Sequence, residues 1–341
     1  MEKNWKADFI ERLNAYAQKG IIPEKYKKNL ESFFFSYKAS LEREGRWRED
    51  FFAFFNTLLD LVKEQIISPY PFQPYHQKIR QPFDYYLFGL ELLRPLIDEK
   101  QSHVFGLDNL HSILEHLKKG ENVILLANHQ IEADPQAISI LLEKIAPELA
   151  EEMIFVAGER VVTDPLAAPF SMGRNLLCIF SKRYIDYPPE EKLKKQLHNK
   201  KTMELMSALL SEGGKCIYVA PSGGRDRPNA EGVVEVALFD PQSIEMFYLM
   251  AKKAEKKTHF YPLALSTYHL LPPPETIQKE LGEARFAEGG AIHLAFGKKI
   301  AMEHFPGSEV KDKHERRKMR ALYIWNLVKE DYARFPLKLS K

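Results

Sequence analysis

Six short apolar runs, at 123–127, 154–157, 176–180, 216–220, 260–265 and 291–296, constrain this chain more than any other feature. Runs of this length bounded by turn residues are strands, and those between them and the intervening stretches at 136–145, 190–211 and 241–253 set up an alternation of strand and helix. Buried strands alternating with helices predict an α/β fold, a largely parallel or mixed sheet flanked by helices. In such sheets ligands bind beyond the carboxyl ends of the strands. The polar residues that follow each run are therefore the first places to look for chemistry.

The chain before the first run is different. Phe9, Leu13 and Tyr16, joined by Trp5, share one helical face that stops at Gly20. Tyr26, Leu30, Phe33, Tyr37 and Leu41 line a second helix, and Phe51, Phe55, Leu58, Val62 and Ile66 a third. Aromatic stripes at this spacing predict a small all-helical N-terminal domain at 1–75, with an α/β domain carrying the active site at 76–341. Between 68 and 82 the prolines Pro69, Pro71, Pro74 and Pro82 exclude regular helix and predict an extended, packed linker. Further helices are expected at 84–94, 107–117 and 311–332.

At 341 residues, with 45% hydrophobic and 28% charged residues, the composition is that of a soluble globular protein. No apolar stretch is long enough to span a bilayer, and the N-terminus resembles neither a signal nor a transit peptide. A bacterial-type cytoplasmic location is expected, or the plastid stroma for a trimmed mature form. A net charge of +2 argues against nucleic acid as a partner. Cys178 and Cys216 lie in apolar runs and are expected as buried core residues, not as a disulfide or metal pair. Lysines and arginines gather at 182–201 and again at 311–320, two basic surfaces suited to an acidic partner or to peripheral membrane contact.

The first apolar run leads into Asn128-His129-Gln130-Ile131-Glu132-Ala133-Asp134-Pro135. His129 thus ends a strand, while Asp134 followed by Pro135 reads as the N-cap of the next helix. Across such a turn the carboxylate can return to the imidazole. One ring nitrogen is then held, the imidazolium is stabilised, and the other nitrogen can take a proton from a hydroxyl. The run at 216–220 leads into Pro221-Ser222-Gly223-Gly224-Arg225-Asp226-Arg227, where glycines admit an anion close to the backbone and two guanidinium groups can grip phosphate oxygens. Without a Gly-x4-Gly-Lys-Ser/Thr pattern no P-loop is indicated, and no cofactor or metal is expected. Arg160 and Arg174 add cations near other strand ends. Ser222 after a strand raises a rival, a serine hydrolase or thioesterase, with His259, His269 and His293 downstream; but Ala220 stands where a nucleophile elbow has glycine. A non-catalytic carrier- or lipid-binding protein is a third reading.

Taken together these stretches resemble the soluble, plastid-type glycerol-3-phosphate 1-acyltransferases, which also occur in bacteria. The octet at 128–135 is similar to that family's acyltransferase block, 161–177 to its second block, 220–228 to its arginine block and 261–274 to its last. The resemblance implies transfer of a fatty acyl group from acyl–acyl carrier protein, or acyl-CoA, to the sn-1 hydroxyl of glycerol 3-phosphate. It makes His129 the general base, Asp134 its orienting partner, and Arg225 and Arg227 holders of the phosphate, with Lys182, Arg183, Tyr184 and Arg174 also placed in that phosphate site. Family members carry a Lys-His pair after the Ser-Lys of the second block; here the stretch is Ser181-Lys182-Arg183-Tyr184. Ile131 likewise replaces a hydroxyl residue, at a position between base and carboxylate.

Overall fold

Helices α1 (Trp5–Gln18), α2 (Glu24–Arg43) and α3 (Phe51–Ile67) form where the aromatic stripes fall. The structure is a computed structural model that describes residues 5–181, 185–274 and 281–336. Phe9, Leu13, Phe34, Phe55 and Leu59 are wholly buried, and the rings of Phe34 and Phe55 meet edge to face at 5.0 Å. This core continues into α4 (Tyr85–Leu93) and on to Ile131, Ala137 and Ile140 beside the histidine turn. The N-terminal helices therefore roof the site directly.

All six expected strands are present. They are β3 (Asn122–Ala127), β4 (Ile154–Gly158), β5 (Asn175–Ile179), β6 (Cys216–Val219), β9 (Thr258–Ser266) and β10 (His293–Phe296). The missed ones are short: β1 (Tyr75–His76) and β2 (His103–Phe105) at the two sheet edges, and the β7 (Arg227–Pro228) and β8 (Val234–Glu235) ribbon. The eight-stranded sheet runs β1-β5-β4-β6-β3-β9-β10-β2. Strands β5, β4, β6, β3 and β9 are mutually parallel, while β10 is antiparallel to β9 and β1 to β5. β1 lies inside the stretch expected as a linker. Its prolines are tolerated because an edge strand needs hydrogen bonds on one side alone.

β3 occupies a central position with partners on both sides and all six residues buried. Its side chains alternate: Val123, Leu125 and Ala127 pack against α5 (Leu107–Lys118), α6 (Asp134–Leu142) and α7 (Pro147–Glu152), and Ile124 and Leu126 face α10 (Lys192–Glu212), α11 (Pro241–Lys253) and α12 (Lys313–Ala333). A strand covered on both faces reads as an unbroken apolar run, which is why its sequence was so plain. Cys178 and Cys216 are free and buried, and burial pushes both thiols up to about 12. Among the described residues no helix is long and apolar enough to cross a membrane.

One buried histidine gives the fold a pH dependence. His293 is 2% exposed, stacks 5.6 Å from His103 and 5.5 Å from Phe335, and its Nδ1 has no hydrogen-bond partner. Burial, then the charge of His103, lowers its pKa from 6.5 to about 4. The folded state thus prefers the neutral ring, so the stability involved is complete above pH 6.5 and is lost as pH falls through about 4. His293 should contribute a loss of up to about 3 kcal/mol to denaturant unfolding across that window, and His293→Phe should remove that share of the slope, leaving the part due to His76, His198 and His259, whose pKa values burial also lowers.

Candidate active site

His129 and Asp134 stand on the turn between β3 and α6, at the carboxyl end of the central strand. Asp134 Oδ2 accepts from His129 Nδ1 at 2.7 Å and from the Gln130 backbone N–H at 2.8 Å, and Thr267 Oγ1 donates to Asp134 Oδ1 at 2.5 Å. Asp134 is 1% exposed, whereas the His129 side chain keeps 28% of its surface. Nε2 is the ring nitrogen that this carboxylate does not hold. The expected N-cap role of Asp134 does not hold: the cap residue is Ala133, Asp134 is the first helical residue, and its carboxylate turns back across the loop. The three donors offered there outcompete the helix's own free N–H groups.

Behind the dyad is a fully buried set of amides. Asn128 exchanges two hydrogen bonds with the backbone of Leu265 and donates to Asp226 Oδ2 at 2.7 Å. Tyr218 Oη donates to the Asn128 carbonyl at 2.7 Å. Gln130 accepts from the backbone N–H groups of Thr267 and Tyr268. Glu132 pairs at 2.8 Å with Arg285, which also meets Asp164 at 3.3 Å. Burial acts to lower the Arg285 pKa, but the charges of Glu132 and Asp164 outweigh it and the net shift is upward. None of these roles was legible beforehand, since a buried amide and a loop amide look the same in sequence.

The arginine turn follows β6, the strand next to β3, at the same edge of the sheet. Gly223 takes φ +63°, a conformation that glycine reaches without strain. Arg225 pairs with the buried carboxylate of Glu283, and Arg160 lies 3.7 Å from the same group. Arg227 Nη1 donates to the Pro274 carbonyl. Burial, then the neighbouring Arg225 charge, lowers the Arg227 pKa. The structure brings Arg225 into one cavity with His129.

Lys182, Arg183 and Tyr184 lie outside the described residues. Arg174, expected with the phosphate ligands, lines the same cavity as His129 and Arg225. It directly precedes β5 and enters that cavity from the amino end of the strand. There it is 3% exposed, donates to Ser139 Oγ at 2.6 Å and lies 4.7 Å from the Tyr86 ring, with burial lowering its pKa to about 10. The cavity joining these places measures about 160 Å³ and is mainly apolar, running from His129 past Phe170 to Leu30, Phe33 and Leu58 of the helical roof.

Ser222 spends its hydroxyl on the Gly224 carbonyl at 2.8 Å. Of the downstream histidines, His293 lies in β10 and His259 near the start of β9: His259 stacks on His116 at 3.6 Å and the two share Glu121 Oε2, at 2.7 and 2.8 Å, among residues at the amino ends of β3 and β9. Two histidines and a carboxylate are zinc-ligand types, but rings stacked at 17° cannot both aim at one ion unless one turns.

The acyltransferase family model matches residues 109–266. Chloroplastic glycerol-3-phosphate acyltransferases of Arabidopsis thaliana and Spinacia oleracea are 34% and 36% identical to the chain over 328 residues, covering 95% of it and 71% and 69% of their own lengths. A chloroplastic relative from Cucurbita moschata is 36% identical over 316 residues, 92% of this chain and 68% of its own. The matched segment runs from α5 to the end of β9 and so contains the dyad, the amide set and the arginine turn. With that agreement of sequence and site, the chain belongs to the plastid-type glycerol-3-phosphate acyltransferase family.

Proposed function

We propose that the protein transfers a fatty acyl group from the thioester of an acyl carrier protein to the sn-1 hydroxyl of glycerol 3-phosphate. The observation that carries this reading is the His129–Asp134 pair at one end of an apolar cavity that also holds Arg225. Arg225 and Arg227 bind the phosphate, and the acyl chain lies among the apolar side chains between sheet and roof. His129 Nε2 takes the hydroxyl proton as the oxygen attacks the thioester carbonyl. The C–O bond forms, the C–S bond breaks, and the imidazolium returns the proton to the leaving thiolate. Asp134 holds the ring and balances its transient charge. Binding converts a bimolecular encounter into a near-attack geometry. Lys182, Arg183 and Tyr184 follow β5 in sequence and complete the phosphate site in this reading.

The choice of donor rests on α10. Leu193 and Leu197, 67% and 58% exposed, lie one turn apart with Lys192, Lys194, Lys200 and Lys201 beside them, and Tyr187, 77% exposed, precedes the helix. A small apolar crest flanked by lysines suits an acidic carrier protein. Both basic surfaces carry local pairs, Lys192 with Asp186 and Lys200 and Lys201 with Glu204 on α10, and Arg317 and Arg320 with Glu245 and Lys318 with Glu315 on the other, so the exposed leucines are what distinguish α10.

Thiol release from acyl–acyl carrier protein and from acyl-CoA, each with and without glycerol 3-phosphate, tests the reading. Release should require the acceptor, and the KM for the carrier-protein donor should rise with ionic strength as charges are screened. Acceptor-independent release, or binding without turnover, would overturn the acyltransferase; a salt-independent KM would remove the carrier protein from α10.

A further inference from the structure

Asp226 sits between the two arginines of the turn and is 0% exposed. Its backbone N–H donates to the His129 carbonyl at 2.6 Å. Its Oδ2 accepts from Asn128 Nδ2 at 2.7 Å and Gln130 Nε2 at 3.2 Å, and its Oδ1 accepts from the Ala237 N–H at 2.9 Å. Gln130 Oε1 in turn accepts from Thr267 N–H at 2.7 Å, and Thr267 Oγ1 donates to Asp134, which holds His129. The result is a closed ring of hydrogen bonds through Asp226, Gln130, Thr267, Asp134 and His129. It joins the turn carrying the phosphate ligands to the turn carrying the base. Because adjacent Cα atoms are about 3.8 Å apart, fixing Asp226 also fixes the origins of both arginine side chains.

Glycerol 3-phosphate offers two hydroxyls at different spans from phosphorus, the sn-1 hydroxyl lying one carbon further out than the sn-2. Which of them reaches His129 depends on the distance between clamp and base. We propose that Asp226 is the positioning residue that sets this distance, and with it the selection of the sn-1 over the sn-2 hydroxyl. The inference rests on the proposed function of the site.

An asparagine cannot take over. Asn128 and Gln130 are locked in orientation by their bonds to Leu265 and to Thr267 and Tyr268, so each presents an NH2 group to position 226. An amide there would turn its own NH2 either against those groups or against the Ala237 N–H. The burial that makes Asp226 hard to replace also pushes its pKa up to about 6, against the pull of its hydrogen bonds and of His129.

The test compares wild type, Asp226→Asn and the near-isosteric Gln130→Met, scoring kcat, KM for glycerol 3-phosphate, cooperative unfolding, and the ratio of sn-1 to sn-2 product at early times before acyl migration. For a base displaced by an ångström, kcat/KM should fall by roughly 10²-fold while the sn-2 share of product rises, with Gln130→Met moving the same way by less. Folded variants that keep the wild-type isomer ratio would overturn the proposal. Wild type offers an independent check that needs no variant: dihydroxypropylphosphonate, an acceptor one bridging oxygen shorter, should react roughly 10²-fold more slowly, and an unchanged rate would exclude a fixed span. If wild type fails to use glycerol 3-phosphate at all, the functional reading falls instead.

Discussion

His129→Ala is expected to lower kcat for acyl transfer by about 10²–10⁴-fold, with the KM values for both substrates close to wild type. His129 is part-exposed and contributes little to any core, so the fold should survive its loss. In the proposed mechanism what disappears is the group that accepts the hydroxyl proton in the transition state, and an interaction confined to the transition state shows in kcat. Asp134→Asn should follow the same pattern for a different reason. Asp134 Oδ2 receives both the Gln130 N–H and the His129 Nδ1–H, and an amide NH2 in its place either opposes those donors or forces the imidazole into the tautomer with Nε2 protonated. A base already carrying its proton cannot take another. Steady-state kinetics of thiol release would settle both; an alanine variant with wild-type kcat would remove His129 from the mechanism.

Arg225→Ala and Arg227→Ala should instead raise the KM for glycerol 3-phosphate by roughly 10–10²-fold, the equivalent of one charged hydrogen bond each, with a smaller change in kcat. Arg225→Ala carries an added penalty, because Glu283 is 4% exposed and among the described residues would keep only the Arg160 cation, 3.7 Å away. Its unfolding midpoint should therefore drop more than that of Arg227→Ala, whose lost partner is the Pro274 carbonyl. Arg225→Lys separates charge from geometry: it keeps the cation but not the planar fork, so its KM should lie between the two. A KM unchanged in a folded alanine variant would dismiss the clamp.

The apolar runs at 123–127 and 216–220 were legible as strands because both faces of a central parallel strand are buried and admit few polar residues. The aromatic stripes of α1 to α3 were legible for the analogous helical reason. Tyr75–His76 and His103–Phe105 were not, since a two- or three-residue edge strand is defined by its partner and not by its own pattern. At the site, the His129–Asp134 pair could be anticipated because its members are five residues apart and one turn joins them.

The rest depended on distance in the chain. Glu283 beside Arg225, Arg285 beside Glu132, and Thr267 beside Asp134 are contacts between segments 58, 153 and 133 residues apart. Arg174 precedes β5 yet lines the same cavity as Arg225, which follows β6, an approach from two strands that no local pattern shows. The sequence by itself thus determined the longer strands and helices, the α/β class and the pairing of His129 with Asp134, all set by local periodicity or by a single turn. Only the tertiary structure decided which buried charges neutralise one another and how the arginine turn is tied to the histidine turn, because strand order and long-range hydrogen bonds are settled by packing and leave no local pattern.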